Sequence, residues 1–504
     1  MEAEFRHRSA LAARVLPEPR LEFAHGQRLE DPRDGLSLFG PYSAASGDRP
    51  GAVTWAAIGT RRGLGLLGAW VERMGGPVPG ETGKEALWPP YPGFDVAFQA
   101  ELPTAPVWQH ELDAGVLERA SRNKDAHGRT FDVVERYLDG MGQLDLHDAT
   151  PRVVVCVIPD FVYERCRPLS RVTDGHGAAP SPRERRRRRL GPDLFEPYAP
   201  EAYSLSVDFR RQFKARALRY DAPLQLVRES TISGVDDPLG RQLTPASDRA
   251  WNLGTTMYYK AGGKPWRLAD ARPGVCYIGI AFRRAPRDLG ANTACCAAQM
   301  FLDSGDGIVF LGDYGRYYSP ERRECHLDRR GARDLLAGAL DTYRRLHGKP
   351  LTEVFLHSRS PIDAEEYAGF AEAVPAGVRL TGVGVRTERG GLRAYRPGQY
   401  PVVRGTCITS GERQAYLWAA GFKERIRTYD GFDVPAPLRI EVQHGDADIH
   451  QVATDILALT KLNYNTCRLG DSEPVTIGFS DAVGEILVAN PTVQTRRPTF
   501  KFYI

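Results

Sequence analysis

The sequence predicts an α/β protein, because runs of apolar and mostly β-branched residues alternate along the chain with amphipathic helical segments. The clearest buried strands are predicted over residues 153–158, 274–282 and 352–357. Helices are predicted over residues 63–74 and 331–346, where apolar side chains recur every three or four positions. The chain has 504 residues, of which 42% are hydrophobic and 26% charged. This length and composition favour two or three folded domains and exclude a disordered or fibrous polymer.

The charge and the cysteine content limit which partners and which cellular compartments are possible for this protein. The formal net charge is only +4, so any nucleic-acid site must be a local basic patch rather than a field over the whole molecule. The eight cysteines are too dilute for a secreted disulfide scaffold and none forms a C-x-x-C pair. With no apolar run long enough for a leader or a membrane span, a soluble, cytoplasmic protein is expected.

The first 105 residues are rich in glycine, proline and tryptophan, and their elements are predicted to be short. A strand over residues 52–59 runs into the helix at 63–74 through a glycine-rich join. Gly59, Gly63 and Gly65 do not have the spacing of a dinucleotide-binding loop. A tight turn with close packing is therefore the favoured interpretation of this join.

A run of arginines occupies residues 181–190, where six arginines stand against one glutamate for a net charge of +5. Because the surrounding residues 167–200 are rich in proline, glycine and serine, we predict a mobile loop there. A solvated loop and an arm that attracts phosphates are both compatible with such a run, since a charge run alone is unspecific.

The most informative basic residues lie on a predicted helix that begins near residue 209. Arg210 and Lys214 are four positions apart, so they project from one side and could together hold a phosphate. Gln225 follows on the next predicted strand, and Lys260 precedes two glycines that would let a ligand approach the backbone. The alternative is a solvent-facing basic helix with a lysine beside a turn.

Five segments, in order along the chain, resemble the Argonaute family, and specifically the short prokaryotic Argonautes that retain only MID and PIWI domains. They read LEFAHGQRLEDPRDGLSLFGPY; FRRQFKARAL followed by LQLVREST; YYKAGGKPWRLADARPGVCYIGI; CCAAQMFLDSGDG; and DILALTKLNYNTC followed by EPVTIGFSDAVGEIL. The likeness is greatest to the Argonaute subunit of systems paired with a TIR-APAZ protein.

This resemblance implies a domain order. It implies an N-terminal segment (1–105) packed on a Rossmann-like α/β MID domain (106–268) and an RNase H-like α/β PIWI domain (269–504).

The resemblance places Arg210, Lys214, Gln225 and Lys260 in the MID pocket that grips the 5′-phosphate of a guide strand. Arg210 stands where relatives often have an aromatic residue or histidine, and adds positive charge. In relatives the C-terminal carboxylate enters this pocket and helps to hold Mg²⁺ against guide phosphates, a role that would fall to Ile504 here. Mg²⁺ prefers oxygen ligands, which a carboxylate and phosphates supply.

The same resemblance indicates that the PIWI nuclease centre has lost its metal ligands. Where the strand motif normally ends in aspartate, this sequence has Ala281. The second ligand position falls among Ser358, Arg359 and Ser360, and Asp481 alone matches a remaining acidic position. One carboxylate cannot hold two Mg²⁺ ions, so no target cleavage and no catalytic residue is expected. The alternative is an active guide-directed, Mg²⁺-dependent endonuclease whose ligands lie elsewhere.

Three further patterns have competing interpretations. The histidines and aspartates at 444–450 resemble a metal cluster, but Asp446 is better explained as a helix cap. The acids of LDSGDG (302–307) predict a hairpin turn rather than a calcium loop. Asn463 and Asn465 either contact guide backbone or make local turn bonds.

Taken together, the resemblance implies a guide-dependent sensor of a prokaryotic immune system. It would bind a small 5′-phosphorylated guide RNA, recognise complementary single-stranded DNA without cutting it, and activate an APAZ-containing effector. That partner is most simply a TIR NADase, with a sirtuin-like or nuclease partner as alternatives. Its activation would deplete NAD and arrest or kill the invaded cell, with a heterodimer that oligomerises on target binding.

Overall fold

The computed structural model describes residues 11–45, 49–148, 150–190, 200–234, 243–284, 294–301, 307–315, 318–319, 324–346, 350–431, 433–490 and 497–504. The strands are β1 (Leu11–Val15), β2 (Leu21–Glu22), β3 (Arg28–Leu29), β4 (Trp55–Thr60), β5 (Trp108–Leu112), β6 (Val153–Ile158), β7 (Leu224–Arg228), β8 (Arg267–Leu268), β9 (Val275–Arg284), β10 (Ala294–Phe301), β11 (Gly307–Gly315), β12 (Tyr318–Ser319), β13 (Glu324–Cys325), β14 (Glu353–Ser358), β15 (Arg379–Thr387), β16 (Thr406–Ser410), β17 (Gln414–Leu417) and β18 (Leu438–His444). The helices are α1 (Pro32–Phe39), α2 (Arg61–Gly75), α3 (Phe94–Phe98), α4 (Ala114–Ser121), α5 (Ala126–Asp145), α6 (Asp160–Arg165), α7 (Pro182–Leu190), α8 (Phe209–Ala217), α9 (Glu229–Ser233), α10 (Ala246–Lys260), α11 (Arg329–Leu346), α12 (Ala364–Ala373), α13 (Ile449–Leu459) and α14 (Val475–Leu487).

A four-stranded parallel sheet with the order β5-β4-β6-β7 forms the first α/β unit. Its central strands β4 and β6 are buried along their whole length, as expected for a parallel sheet covered on both faces. Helices α5 and α8 cover one face, where the ring of Tyr137 lies 5.4 Å from those of Phe209 and Phe213. Helix α2 covers β4 and β6 on the other face.

The second unit is a nine-stranded mixed sheet with the order β1-β16-β17-β18-β15-β14-β9-β10-β11. Strand β14 is parallel to both β9 and β15, and the other pairs are antiparallel. Helices α11 and α12 pack on one face, and α13 and α14 belong to the core on the other. Both units are α/β, as the sequence predicts.

Residues from the first 105 enter both sheets. Strand β4 pairs with β5 and β6, and β1 pairs antiparallel with β16 from Leu11↔Ser410 to Val15↔Thr406. This part of the chain therefore supplies a strand to each sheet as well as packing on them. The predicted domain boundaries after residues 105 and 268 stay predictions.

Gly59, near the end of β4, and Gly63, in the first turn of α2, serve close packing, as expected. A β-carbon on Gly63 would lie 2.9 Å from Val157 Cγ1, and one on Gly59 would lie 3.1 Å from Val157 Cβ. Both distances are shorter than ordinary contact, so β4 and α2 can each lie this close to Val157 of β6 only because these two residues have no side chain.

The prediction of a mobile loop over residues 181–190 was wrong, because most of this run forms helix α7. The Ser181 hydroxyl accepts a hydrogen bond from the Glu184 amide at 3.2 Å, and the Glu184 carboxylate accepts one from the Ser181 amide at 3.3 Å. This reciprocal cap starts the helix. Arg188 then pairs with Glu184 one turn back at 2.9 Å.

The cap of helix α13 and the LDSGDG segment were also predicted from the sequence. Helix α13 does begin with an aspartate cap, but the cap is Asp448, whose carboxylate accepts from the His450 amide at 3.0 Å, and not Asp446. The capping carboxylate lies one residue before the helix, which places it two positions later than predicted. The LDSGDG segment connects the antiparallel strands β10 and β11, but its residues 302–306 lie outside the described residues.

Candidate anion-binding site

Helix α8 positions the first two basic residues of the site. Asp208 caps the helix by accepting from the Arg211 amide at 3.0 Å. Phe209 and Phe213 fix one face of the helix in the core, and Lys214 is also buried, with 3% of its surface exposed. Arg210, in the first turn, is exposed. The two residues thus lie at different depths rather than side by side on the surface.

Strand β7 and the end of helix α10 bring in Gln225 and Lys260. The Lys260 ammonium group donates to the Leu224 carbonyl at 2.5 Å, to Gln225 Oε1 at 2.7 Å and to the main-chain oxygen of Ile504 at 2.8 Å. Lys260 is 1% exposed. Strand β7 and the end of α10 lie side by side although helix α9 separates them in the chain, so the fold itself holds these two side chains together.

The last residues of the chain close the site. A short 3₁₀ helix, Phe500–Phe502, stacks Phe500 on Phe479 with ring centres 4.1 Å apart, and both Tyr503 and Ile504 are buried. Lys214 donates to the main-chain oxygen of Ile504 and, at 3.3 Å, to that of Tyr503. Two lysine ammonium groups therefore converge on the oxygen of Ile504.

The electrostatics of this site favour an anion. Burial, followed by repulsion from Lys260 and Arg210, lowers the pKa of Lys214 well below its ordinary value. Burial, followed by repulsion from Arg210, lowers the pKa of Lys260 in the same way. A negatively charged ligand would stabilise both ammonium groups, because an opposite charge at this range favours the charged form.

Access to this site is from a cleft of about 320 Å³ that Arg210 and Ile504 both line. Asn463, Asn465 and Phe479 are further lining residues. The exposed Arg210 thus lines the cleft directly, and the two buried lysines reach it through their contacts with Ile504. All five predicted residues, Arg210, Lys214, Gln225, Lys260 and Ile504, lie in or beside one site.

The remaining basic residues of α8 are engaged in other ways. Arg211 pairs with Glu485 at 2.9 Å, and Arg216 pairs with Glu135. Ion pairs therefore neutralise these two arginines, and the alternative of a solvent-facing basic helix does not describe the buried Lys214.

Glycines 262 and 263 end helix α10 rather than only clearing space for a ligand. Gly262 has φ +100°, which L side chains rarely adopt. A β-carbon on Gly263 would lie 2.3 Å from Tyr258 Cε1, so this position also serves packing.

A second cleft, of about 380 Å³, adjoins the site through Gln225 and Asn465. Its walls carry arginines stacked on aromatic rings. The Arg228 guanidinium lies 3.8 Å from the centre of the Tyr163 ring, and that of Arg249 lies 4.9 Å from Trp70. Sequence reasoning missed these residues, although Arg228 ends β7 at the carboxyl edge of the parallel sheet, where ligands of such sheets bind.

Asn463 makes local bonds, in agreement with one of its two interpretations. Its Oδ1 accepts from the Asn465 amide at 2.9 Å, and its Nδ2 donates to Asp471 at 2.7 Å. Both asparagines also line the first cleft, so local bonding and ligand contact are compatible.

The predicted remnant of a metal centre is a cluster of ion pairs. Ala281 lies on β9 and Arg359 directly after β14, and β9 and β14 are parallel neighbours. Arg359 donates to Asp481 at 2.9 Å and to Glu473 at 2.7 Å. Arg283, two residues after Ala281, pairs with Asp481 at 3.1 Å. The carboxylate of Asp481 therefore has a guanidinium group on either side.

Within the described ranges, no group of three or more histidine, cysteine, aspartate or glutamate side chains is arranged to hold a metal ion. This includes the His444–His450 segment. In the same part of the chain, none of the helices combines the length and apolar composition needed to cross a bilayer.

Comparison with known proteins gives structural matches only: no protein-family model matches the chain, and neither does any curated protein. Clostridium butyricum Argonaute bound to a guide DNA (5′ deoxycytidine) and a 19-mer target DNA matches with a TM-score of 0.62 and 14% identity, over 95% of this chain and 53% of that chain. Aa-Ago with externally bound siRNA matches at 0.57 and 12%, over 97% and 55%. Drosophila Piwi matches at 0.57 and 14%, over 97% and 56%. The chain spans about half the length of these proteins, and its fold is Argonaute-like.

Proposed function

We propose that this chain binds the 5′-phosphate of a guide strand in the site formed by Lys214, Lys260, Gln225 and Ile504, with Arg210 at its mouth. The observation that carries the proposal is the convergence of two buried lysines on one oxygen. A phosphate supplies negative charge and strong acceptor oxygens, and both favour the charged form of a desolvated ammonium group.

The structural neighbours support nucleic acid as the ligand. The Clostridium butyricum protein is described with a guide DNA and a target DNA, and Aa-Ago with an siRNA. This chain covers about half of each of those proteins, and that half includes both sheets described above. In this proposal, base pairing between guide and target reads the sequence, and the protein accommodates the backbone.

We further propose that the bound target is not cut. Two-metal nucleases need several oxygen or nitrogen ligands around two cations. Here Ala281 offers none, and Arg359 and Arg283 hold Asp481 in ion pairs. A guanidinium group beside Asp481, the one carboxylate at a ligand position that the resemblance implies, repels divalent cations, because like charges in a partly buried site are weakly screened.

The resemblance in sequence extends this proposal. The guide would be a small RNA and the target single-stranded DNA, both met in the cytoplasm. An APAZ-containing partner with a TIR NADase domain, or a sirtuin-like or nuclease domain, would supply the enzymatic activity. Target binding would activate it within a heterodimer that oligomerises, so that NAD is depleted and the invaded cell arrests or dies.

The described residues beside Ile504 do not by themselves form a site that suits Mg²⁺. One oxygen of Ile504 already accepts from two ammonium groups, and Gln225 Oε1 accepts from Lys260. Magnesium requires several oxygen ligands, which guide phosphates would have to supply. Magnesium at the guide end therefore stays a prediction from the resemblance.

The phosphate pocket can be tested with Lys214→Met, which removes one charge and retains an unbranched side chain. Loss of a charged hydrogen bond should cost about 1.5 to 3 kcal/mol and weaken binding of a 5′-phosphorylated oligonucleotide roughly 10- to 100-fold. Binding of the same oligonucleotide with a 5′-hydroxyl should change little. The measurement is a pair of dissociation constants for each protein by fluorescence anisotropy.

The matched control for this experiment is Lys84→Met, at an exposed lysine of the N-terminal residues. It should leave both dissociation constants near those of the wild type. An equal loss for phosphorylated and hydroxyl ends in Lys214→Met, or no preference for phosphate in the wild type, would refute the pocket.

The alternative function, an active endonuclease, predicts that the purified chain cuts a matched target in the presence of Mg²⁺ and that Asp481→Ala abolishes this cutting. Our proposal predicts no guide-dependent product from either protein. A single guide-directed cleavage product from the wild type, absent with Asp481→Ala, would decide for the nuclease.

A further inference from the structure

Helix α7 is a basic surface without an apolar face. Six of its nine residues are arginine, and only Pro182 and Leu190 are uncharged. None of its described side chains belongs to the hydrophobic core. Burial of apolar surface is the usual reason that a helix of this length persists in a protein. Apolar packing therefore does not explain why α7 is helical and held against the protein.

One arginine is turned inward and anchors the helix. Arg188 donates to the Tyr203 hydroxyl at 2.9 Å and to Glu184 at 2.9 Å. The Tyr203 hydroxyl in turn donates to the Asp125 carboxylate, which caps helix α5 by accepting from the His127 amide. Through this chain of hydrogen bonds, α7 is tied to the start of α5, and its other arginines are presented from a fixed support.

The outer face of α7 carries charge that the described protein does not neutralise. Arg183 and Arg186 lie one turn apart, and both are exposed. Neither has an ion-pair partner within the described residues. Like charges at this spacing destabilise a helix by roughly 0.2–0.5 kcal/mol per pair. A polyanion placed along this face would remove that cost.

The position of α7 in the fold relates it to the two clefts. Strands β5 and β6 are both parallel to β4, so the helix α5 that leads into β6 begins at the carboxyl edge of this sheet. Helix α6, which carries Tyr163 of the second cleft, follows β6 at the same edge. Helix α8 also begins there, with Arg210 in its first turn. The anchor of α7 on Asp125 therefore sets it at the same edge of the sheet as Tyr163 and Arg210, each of which lines one of the two clefts.

We propose that the outer face of α7 binds the sugar-phosphate backbone of a nucleic acid, independently of sequence and of the 5′ end. Guanidinium groups one turn apart can each donate two hydrogen bonds to successive phosphates. This surface is additional to the phosphate pocket and does not require it. An acidic protein is the other class of partner, and the position of α7 beside the clefts favours nucleic acid.

The test is the double variant Arg183→Gln/Arg186→Gln, which removes two exposed charges and leaves the Arg188 anchor intact. Its control is Arg330→Gln/Arg344→Gln, two exposed arginines of α11. Affinity for a 5′-hydroxyl and a 5′-phosphorylated single strand is measured from about 50 to about 200 mM salt. The logarithm of the association constant falls linearly with the logarithm of the salt concentration. Loss of two phosphate contacts should make this slope less steep by about 1.4, and in the α7 variant only.

The two proposals fail in different ways in this experiment. The α7 variant should weaken both oligonucleotides by the same factor, so the ratio of their affinities stays that of the wild type. An unchanged salt slope, or a loss equal to that of the α11 control, would overturn the role of α7, even if an acidic protein were found to bind there. A wild-type protein without preference for the phosphate would instead refute the pocket.

Discussion

At the scale of single residues, the feature that most constrains function is a pair of lysines that the protein has buried against their ordinary preference. Lys214 and Lys260 are 3% and 1% exposed, and burial lowers the pKa of both. A long cationic side chain is rarely buried so completely unless it has a partner. Oxygens of the protein accept hydrogen bonds from both lysines, and a phosphate would add the opposite charge.

This arrangement predicts that binding of a phosphorylated end takes up protons. A phosphate raises the lowered pKa of each ammonium group, so affinity should fall as the pH rises above the lowered values. Titration calorimetry of a 5′-phosphorylated oligonucleotide in two buffers of different ionisation enthalpy measures the number of protons exchanged. The same oligonucleotide with a 5′-hydroxyl should exchange fewer protons, and equal uptake for the two would contradict the assignment.

Without ligand, these lysines have a definite effect on stability. Their lowered pKa means that the unfolded chain holds more protons between the lowered value and 10.5, so they contribute a rise in the free energy of unfolding as the pH increases through that range. The two lysines lower the free energy of unfolding by their full amount at a pH below the lowered pKa values. Above pH 10.5 they do not lower it at all. Destabilisation is commonly tolerated at binding sites, where a ligand reverses it.

At the scale of elements, the contact between β9 and α14 determines the geometry of the ion pairs around Asp481. A β-carbon on Gly279 would lie 1.7 Å from the Thr476 carbonyl oxygen, which belongs to the backbone of α14 and cannot move as a side chain would. The Ser480 hydroxyl donates to the Gly279 carbonyl at 2.9 Å. Helix α14 carries Asp481 and Glu485, so this contact also sets the two carboxylates that face Arg283.

Gly279→Ala should therefore force α14 away from the sheet. Overpacking of a dense core typically costs about 1–3 kcal/mol of stability. Because the added methyl group would meet backbone rather than a movable side chain, we expect a loss at the upper end of this range. The measurement is the thermal midpoint by differential scanning fluorimetry, which should fall by several degrees. Gly338→Ala in the exposed part of α11, where nothing lies within 4 Å, should be neutral or stabilising by up to ~1 kcal/mol.

Elements with a strong pattern could be predicted from sequence, and those that depend on distant partners could not. The buried strands β6, β9 and β14 and the helices α2 and α11 follow from continuous or periodic apolar residues. Helix α7 lacks any apolar period, and its anchor on Asp125 and Tyr203 comes from elsewhere in the chain. Its capping pair, Ser181 and Glu184, was the local signal that could have identified it.

In the candidate site, too, some features could be predicted from sequence and others depend on distant residues. The spacing of Arg210 and Lys214 predicts that they lie near each other, but helical spacing alone does not say which of two basic residues faces the core. The exposure of Arg210 and the burial of Lys214 follow from the packing of Phe209 and Phe213 against α5. The stacked arginines of the second cleft were missed because their aromatic partners, Tyr163 and Trp70, are 65 and 179 residues distant from Arg228 and Arg249 in the sequence.

At the scale of the whole molecule, buried ion pairs tie the first residues of the chain to the last third. Glu18 accepts from Arg404 at 2.8 Å and from Lys461 at 2.7 Å. Arg404 is held in addition by the Thr460 hydroxyl and by main-chain oxygens, and Lys461 by the Glu30 carbonyl at 2.7 Å. The N-terminal residues are therefore part of the structure on which the nine-stranded sheet depends.

Glu18→Gln tests this connection, because it removes the negative charge and leaves two buried cations without compensation. Removing one partner of a buried ion pair costs about 3–5 kcal/mol, so the free energy of unfolding at neutral pH should fall by an amount of that order. Asp270→Asn is the control: its pairs with Arg20 and Arg28 are exposed, and such pairs contribute about 1 kcal/mol or less. Urea denaturation followed by fluorescence measures both.

The same variant carries a prediction about pH. Although burial raises the pKa of Glu18, attraction from Arg404 and Lys461 outweighs it and lowers the pKa below 4.5. The stabilisation by Glu18 is then complete above the unfolded value of 4.5 and is lost as the pH falls through the lowered folded value. The difference in unfolding free energy between wild type and Glu18→Gln should shrink accordingly on acidification. A difference that stays constant down to the acid transition would show that Glu18 acts through its shape and hydrogen bonds rather than its charge.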